Sequence, residues 1–319
     1  MAPDWTEATI PDLHGVTAAV TGANRGIGLE IVRGMTSKGA HVVLAVRRPE
    51  SGEAAAESIR AKFPDALLEV TRLDLADLAS VRRFAETVGS RFTSLDLLIN
   101  NAGAGPESPP RTVDGFERAF GTNHLGHFAL VGLLLPRMLA SSRGRVVTIS
   151  SFAHGMGRLD FDSLDGSKHL SAMAAYAQSK LANTLFAYEL QRRLSAAGAD
   201  LISVACHPGV AATPSLLGSP DTPRGIVSGL MHALLRRFAP TAAHGAQPAL
   251  YAATASEVRG GDYIGPGGWL GVWGGPGRVR SSRRTRDETL ARQLWDVSER
   301  MTGVTYAFGA PDRSEVPVP

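Results

Sequence analysis

Apolar and polar positions alternate between two periods along the first 206 residues. Short β-branched or aliphatic runs fall at Thr17–Thr21, His41–Val46, Leu67–Asp74, Leu95–Asn100, Arg145–Ser150 and Leu201–Cys206. Helix-length stretches separate them, at Ile27–Ser37, Glu53–Phe63, Leu78–Arg91, Leu125–Ala140 and Ala174–Ala197. This order predicts right-handed βαβ crossovers and a mostly parallel sheet. The runs are apolar at successive positions, as strands covered by helices on both faces require.

Beyond Cys206 the pattern loosens. Residues 209–240 carry four prolines and one apolar stretch, Ile226–Leu235 with Met231, a composition that suits a substrate lid. A helix is expected at Ala242–Ser256, a short strand near Asp262–Gly265, and a last helix at Glu288–Met301 that stops at Gly303. The Gly-rich segment Gly265–Gly277 between them holds Trp269 and Trp273, which either cap a pocket or fold back on the core. No linker marks a boundary. The expectation is one domain over residues 1–319, with a core of about 15–265, a lid at about 209–240 and a C-terminal cover at 266–319.

Composition narrows the function classes. With 44% hydrophobic and 20% charged residues, the chain can bury a large core and is not disordered. Its single cysteine, Cys206, excludes a disulfide scaffold or a cysteine zinc cluster, and ends an apolar strand as a small core residue would. No histidine–carboxylate spacing suits a metal. The net charge of +3 comes with 29 arginines but only four lysines: Lys38, Lys62, Lys168 and Lys180. So small an excess does not point to nucleic acid. The first residues carry acids with no apolar stretch behind them, unlike a signal peptide. The uncharged run Ala119–Pro136 contains Asn123, His124 and His127, whereas a bilayer helix needs about 20 mostly apolar residues. A soluble cytoplasmic protein without a membrane span is expected.

The first strand runs into Thr21-Gly22-Ala23-Asn24-Arg25-Gly26-Ile27-Gly28, and a helix follows. Glycines at such a turn let backbone approach a pyrophosphate at the helix N-terminus. A glycine trio alone also fits an ordinary strand-to-helix turn; its place at the start of a βαβ unit favours a dinucleotide. The second strand ends in Arg47 and Arg48, with no acid before Glu50. Together with Arg25, these guanidinium groups suit a 2′-phosphate, so NADP(H) is expected over NAD(H). The bland alternative is solvated loop charge.

Tyr176-Ala-Gln-Ser-Lys180 puts a phenol and an ammonium one helical turn apart. A cation beside a phenol favours the phenolate, which suits a general acid/base. Asn100-Asn101-Ala102-Gly103 ends the fourth strand, Ser150-Ser151 ends the fifth, and Asn123 lies between them. All fall at or beside strand carboxyl ends, where open α/β sheets bind ligands.

Over about residues 15–265 the order and spacing of these motifs resemble the short-chain dehydrogenase/reductase family. The resemblance implies a Rossmann-type doubly wound α/β fold and a nicotinamide dinucleotide cofactor, which the arginines narrow to NADP(H). Gly22, Gly26 and Gly28 match the family's cofactor glycines, with Asn24, Arg25 and Ile27 in the same turn. Asp74 and Leu75 match the adenine pair, Asn101, Ala102 and Gly103 the segment beside the ribose, and Pro208, Gly209, Val210 and Thr213 the segment holding the carboxamide. Asn123, Ser151, Tyr176 and Lys180 match the catalytic tetrad. The implied roles are proton donation by Tyr176, polarisation of the carbonyl by Ser151, ribose binding by Lys180 and a relay water held by the Asn123 backbone.

A finer resemblance, carried by Asn123-His-Leu-Gly-His127-Phe, Ser150-Ser-Phe-Ala-His154 and Tyr176-Ala-Gln-Ser-Lys-Leu-Ala-Asn183, is to retinol dehydrogenase, protochlorophyllide reductase and related carbonyl reductases. It implies an apolar ketone, aldehyde or alcohol as substrate. The other readings are reduction of a carbon–carbon double bond and a non-catalytic NADP-binding sensor or scaffold. Ser151 and Tyr176 are 25 positions apart, roughly twice the usual family interval, and the extra segment Gly157–Ser171 is expected over the site entrance. Helices Leu125–Ala140 and Ala174–Ala197 resemble the family's dimer interface, yet relatives with this long loop can be monomers, so a homodimer and a monomer both stay open.

His154 and His207, near the expected site, are read as structural hydrogen-bonders or substrate contacts. The basic cluster Arg278, Arg280, Arg283, Arg284 and Arg286 is either an anion-binding patch or an exposed turn balanced by Asp287 and Glu288.

Overall fold

The computed structural model describes residues 5–105, 111–209, 241–268 and 274–309. Its strands are β1 (Thr17–Thr21), β2 (His41–Val46), β3 (Leu68–Arg72), β4 (Leu97–Asn100), β5 (Arg145–Ile149), β6 (Ile202–Cys206), β7 (Tyr263–Pro266) and β8 (Pro276–Arg278). They form one sheet in the order β3-β2-β1-β4-β5-β6-β7-β8. Every pairing is parallel except β7 with β8. Helices α1 (Gly26–Thr36), α2 (Pro49–Arg60), α3 (Leu78–Arg91), α4 (Gly126–Leu139), α5 (Ala172–Ala196), α6 (Ala242–Thr254) and α7 (Glu288–Thr302) surround it, the doubly wound Rossmann-type fold.

Burial on both faces explains the apolar runs. Ala18 and Val20 of β1 join a core with Ile31 of α1 and Leu250 of α6, while Ala19 between them joins Phe84 of α3 and Leu134 of α4 on the opposite face. Alternate residues of one strand thus feed two cores.

Several boundaries differ from expectation. Helix α2 begins at Pro49 rather than Glu53, because proline presets φ for a first helical position where no N–H is required. Helix α4 continues an α-helical turn, Arg118–Phe120, and a π-helical turn, Gly121–Leu125, in which the Gly126 N–H reaches the Gly121 carbonyl. Strand β8 was not expected: Pro276-Gly277-Arg278 has no strand propensity, and pairs with β7 beside an ion pair from Arg278 to Asp262.

The C-terminal cover packs through aromatics. Trp295 is 1% exposed and lies 5.1 Å from the Phe128 ring and 4.5 Å from Tyr306 by centroid, with the Arg193 guanidinium 4.4 Å over it. The Tyr306 hydroxyl donates to the Phe128 carbonyl at 2.6 Å. In the basic cluster, Arg284 donates to the Gly157 carbonyl at 3.0 Å. Asp287 caps α7 and Glu288 pairs with Arg292.

Among the described residues His124, His127, His154 and His207 are buried, and burial favours the neutral ring in each. Burial pushes His124 down to about 3, His127 to about 4 and His207 to about 4, helped by a neighbouring cation or histidine in each case. Unfolding exposes them to water, where a histidine titrates near 6.5. Between those values the unfolded chain binds more protons, so stability is full above about pH 6.5 and falls toward pH 4, by about 1.4 kcal/mol per histidine per pH unit. Urea unfolding at pH 7.5 and 5.5 should show a lower midpoint at 5.5; an equal or higher one contradicts the neutral burial. Trp295→Ala should cost about 3–5 kcal/mol in the same assay, and a loss below 1 kcal/mol would mean that the cover is not anchored there.

Candidate active site

Strand order reverses between β1 and β4, and the crossovers from these strands leave in opposite directions, opening a crevice at their carboxyl ends. A cleft of about 490 Å³ occupies it. Residues following β1 to β6 line it: Gly22, Arg47, Asp74, Asn101, Ser151 and Pro208 come from six successive strand ends.

The turn after β1 depends on absent side chains. Gly22 and Gly26 have φ of +66° and +58°. A Cβ on Gly28 would stand 2.4 Å from the Gly22 carbonyl oxygen and 2.5 Å from Asn101 Nδ2, so only glycine lets α1 start this close to β1. Arg25, the N-cap of α1, supplies no side-chain cap, which leaves the first N–H groups of the helix at the cleft. Arg118 Nε and Thr122 Oγ1, buried atoms of two cleft-lining residues, have no hydrogen-bond partner among the described residues. Uncapped amides at a glycine turn in such a crevice suit an anionic ligand such as a dinucleotide pyrophosphate.

Asn101 ties this turn to β4: its N–H donates to Thr21 Oγ1 at 2.9 Å and its side-chain amide to the Thr21 carbonyl at 2.7 Å. Asp74 accepts the Ala76 N–H at 3.0 Å. Asn24, Arg25, Ile27, Arg47, Leu75, Ala102, Gly103 and Gly209 also line the cleft. Arg48 does not; it is exposed, and as the N-cap of α2 its carbonyl accepts the Ser51 hydroxyl at 2.8 Å. Val210, Thr213, Trp269, Trp273 and the expected lid segment from 210 to 240 lie outside the described residues.

At the other end, Ser150 and Ser151 diverge. Ser150 is buried, donates to the Lys180 carbonyl at 2.8 Å and accepts from Thr184 at 2.9 Å, so its hydroxyl is committed internally. Ser151 is half-buried, and its Oγ accepts the Ala153 N–H at 3.3 Å, leaving its own proton to donate into the cleft. Lys180 is 4% exposed; its Nζ donates to the Ile149 carbonyl at 3.1 Å and lies 5.7 Å from the Tyr176 ring centroid. Helix α5 places both side chains on the cleft wall.

Asn123 is fully buried in the π-helical turn and does not line the cleft. Its side chain accepts from the Ala104 N–H at 2.7 Å and donates to the Ala104 carbonyl at 3.1 Å and to Ser179 at 2.9 Å. His154 bonds the Ser151 carbonyl at 2.6 Å and accepts the Ser282 N–H at 3.1 Å. His207 stacks on Tyr263 with centroids 5.3 Å apart. Neither histidine lines the cleft. Cys206 is buried and its thiol is pushed up to about 12 by burial, an inert core residue.

The segment Gly157–Ser171 does not cover the entrance as expected. Leu164 buries against Phe120, Leu125 and Leu181, and the Asp160 N–H donates to Gln178 at 2.8 Å, which draws the loop down against α5. Its flanks line the mouth instead: Met156 is 66% exposed and Met173 56%, beside Phe152 at 39%. The sequence reading missed these three, along with Thr21, Arg118 and Thr122. They stand at the ends of β1 and α5 and in single helical turns, where no apolar period singles them out.

Among the described residues no helix is long and apolar enough to cross a membrane, and no cluster of His, Cys, Asp or Glu could hold a metal.

The profile described as short chain dehydrogenase matches residues 16–220. Retinol dehydrogenase 12 of Homo sapiens is 39% identical over 299 residues, 92% of this chain and 88% of that protein. A crystal structure of a protein from Mycobacterium paratuberculosis superposes with TM-score 0.78 at 41% identity, covering 95% of this chain and 99% of that one. The NADP active-site complex of Pseudomonas aeruginosa RhlG gives TM-score 0.59 at 25% identity over 79% of this chain and 94% of the other. With the motifs, the sheet order and the cleft, these likenesses establish that the chain belongs to the short-chain dehydrogenase family of NAD(P)-dependent oxidoreductases.

Proposed function

We propose that the protein transfers hydride between NADP(H) and an apolar ketone, aldehyde or alcohol, with Tyr176 as the general acid/base. The observation that carries this reading is the cleft wall shared by Ser151, Tyr176 and Lys180, with an uncommitted serine proton and a buried ammonium beside a phenol. When bound, the nicotinamide supplies the hydride. In the reductive direction the Tyr176 hydroxyl donates its proton to the substrate oxygen, and the Ser151 hydroxyl donates a hydrogen bond to the same atom. The Lys180 ammonium stabilises the phenolate left behind and holds the nicotinamide ribose. Its burial keeps bulk water from screening that charge. The Asn123 carbonyl holds a relay water, while the side chain of Asn123 keeps the π-helical turn against Ala104.

Gly22, Gly26 and Gly28 take the pyrophosphate, with Asn24 and Ile27 in the same turn. Asp74 and Leu75 take the adenine, Asn101, Ala102 and Gly103 flank the ribose, and Pro208 and Gly209 face the carboxamide. Two observations favour the phosphorylated cofactor: Arg25 and Arg47 stand exposed on the cleft lining, and the similar RhlG structure is an NADP complex. The apolar mouth of Phe152, Met156 and Met173 favours an apolar substrate, in keeping with the likeness to retinol dehydrogenase 12.

NADPH oxidation with all-trans-retinal or nonanal as probe tests the reaction. Tyr176→Phe should lower kcat by about 10²–10⁴-fold while leaving NADPH affinity, read by fluorescence, nearly unchanged; a mutant that still turns over removes Tyr176 from the chemistry. For cofactor choice, Arg25→Ala with Arg47→Ala should raise the NADPH dissociation constant by about tenfold or more and leave that of NADH where it was. Equal changes for both cofactors would remove the 2′-phosphate assignment.

A further inference from the structure

His127 stands at the start of α4 with only 1% of its surface exposed, and its ring bridges the end of β1 and the π-helical turn. Nδ1 lies 2.9 Å from the Asn123 carbonyl oxygen, and Nε2 lies 2.9 Å from Thr21 Oγ1. A carbonyl oxygen only accepts, so Nδ1 carries hydrogen. Thr21 Oγ1 already accepts the N–H groups of Asn101 and Ala102, each at 2.9 Å. The threonine therefore has a proton to give, and a neutral ring protonated at Nδ1 offers Nε2 to receive it. The competing acceptor for that proton, the Ile99 carbonyl, is farther away at 3.3 Å. The donors then run one way, from the Asn101–Ala102 turn to Thr21 and on to Nε2, while the opposite ring nitrogen donates to Asn123.

The charged groups around the ring agree with this assignment. Lys180 on α5 opposes a second positive charge, His124 in the π-helical turn is itself neutral, and burial holds His127 near 4. The Asn123 side chain is fixed by Ala104 and Ser179, so the imidazole is the added restraint on its carbonyl.

We propose that His127, as the neutral Nδ1–H tautomer oriented by Thr21, is a positioning residue whose Nδ1–H bond fixes the Asn123 carbonyl. The proposal rests on the reading of Asn123 as part of the proton path. It links the first strand of the cofactor half to the acid/base end through one ring, across 106 positions of sequence.

Two side chains separate the two bonds. Asparagine at 127 retains an N–H near the Nδ1 position and cannot reach Thr21; glutamine retains an acceptor near Nε2 and loses the bond to Asn123. With NADPH and all-trans-retinal or nonanal, His127→Gln should lower kcat by about tenfold, and His127→Asn should retain most of it, with NADPH affinity kept in both. Equal kcat losses in the two variants, matched by equal losses of melting temperature, would overturn the positioning role. Turnover by Tyr176→Phe would instead overturn the proton-path reading beneath it. Independently of any substrate, ¹⁵N spectra of histidine-labelled protein, with the signals of residue 127 assigned by their loss in His127→Asn, should show a protonated Nδ1 and a bare Nε2 near neutral pH. An Nε2–H tautomer or a charged ring there overturns the assignment.

Discussion

Strands β1 and β4 are neighbours whose crossovers part in opposite directions, and three hydrogen bonds between Thr21 and the Asn101–Ala102 turn hold their ends together. The rest of the cleft depends on that closure. It sets the distance at which Gly28 must pass the Gly22 carbonyl and the Asn101 amide, which is why no side chain fits there. It also turns Ala102 to Gly105 across the crevice toward the Asn123 side chain, which fixes Ala104 through two bonds. One parallel pairing, β1 with β4, thereby positions both the uncapped amides of α1 and the Gly103 backbone beside Lys180.

The polar groups of this region are assigned in a consistent way. Buried donors and acceptors with internal partners are spent on structure: Ser150 on the Lys180 carbonyl, Asn183 on the Ile149 carbonyl, and His154 between Ser151 and Ser282. The Ser151 hydroxyl, by contrast, keeps a proton to donate and stands on the cleft lining. Burying an ammonium is costly unless it is paired. Among the described residues Lys180 Nζ donates to one carbonyl, that of Ile149 at 3.1 Å, and an ammonium has three donors to give.

Much of this was legible in the sequence where burial and backbone rules act locally. Strands β1 and β2 show as unbroken apolar runs because each residue feeds one of two cores, and the glycine turn shows because close approach tolerates nothing else. What was illegible depends on partners distant in sequence. Arg48 reads like Arg47, but the N-cap geometry of α2 turns it out of the cleft. The segment Gly157–Ser171 reads as an entrance loop from its Asp and Gly content; Leu164, with Leu159 and Phe161 beside it, packs with Phe120 and Leu181 and draws it away. Strand β8 exists through pairing with β7 rather than through any propensity of Pro276-Gly277-Arg278. The π-helical turn around Asn123 has no composition that distinguishes it from an α-helical one.

The two ends of the cleft differ in stiffness, and that difference bears on selectivity. The cofactor end is built from backbone turns cross-linked by short hydrogen bonds and from glycines whose replacement would collide with main chain. Such a surface is fixed before any ligand arrives, so binding there loses little to reorganisation. The mouth is formed by Phe152, Met156 and Met173, and methionine is unbranched and polarisable, so it repacks around apolar shapes at low cost. Behind that mouth the Ser151 segment is braced from the C-terminal cover, by Ser282 onto His154 and by Arg284 onto the Gly157 carbonyl. The cover therefore supports the rigid half of the site rather than its soft rim. On the proposed reading, geometry at the reacting oxygen is held by the fold while the apolar remainder of the substrate is accommodated loosely. A site of this kind discriminates strongly for the position of the carbonyl and weakly for the length of the chain attached to it.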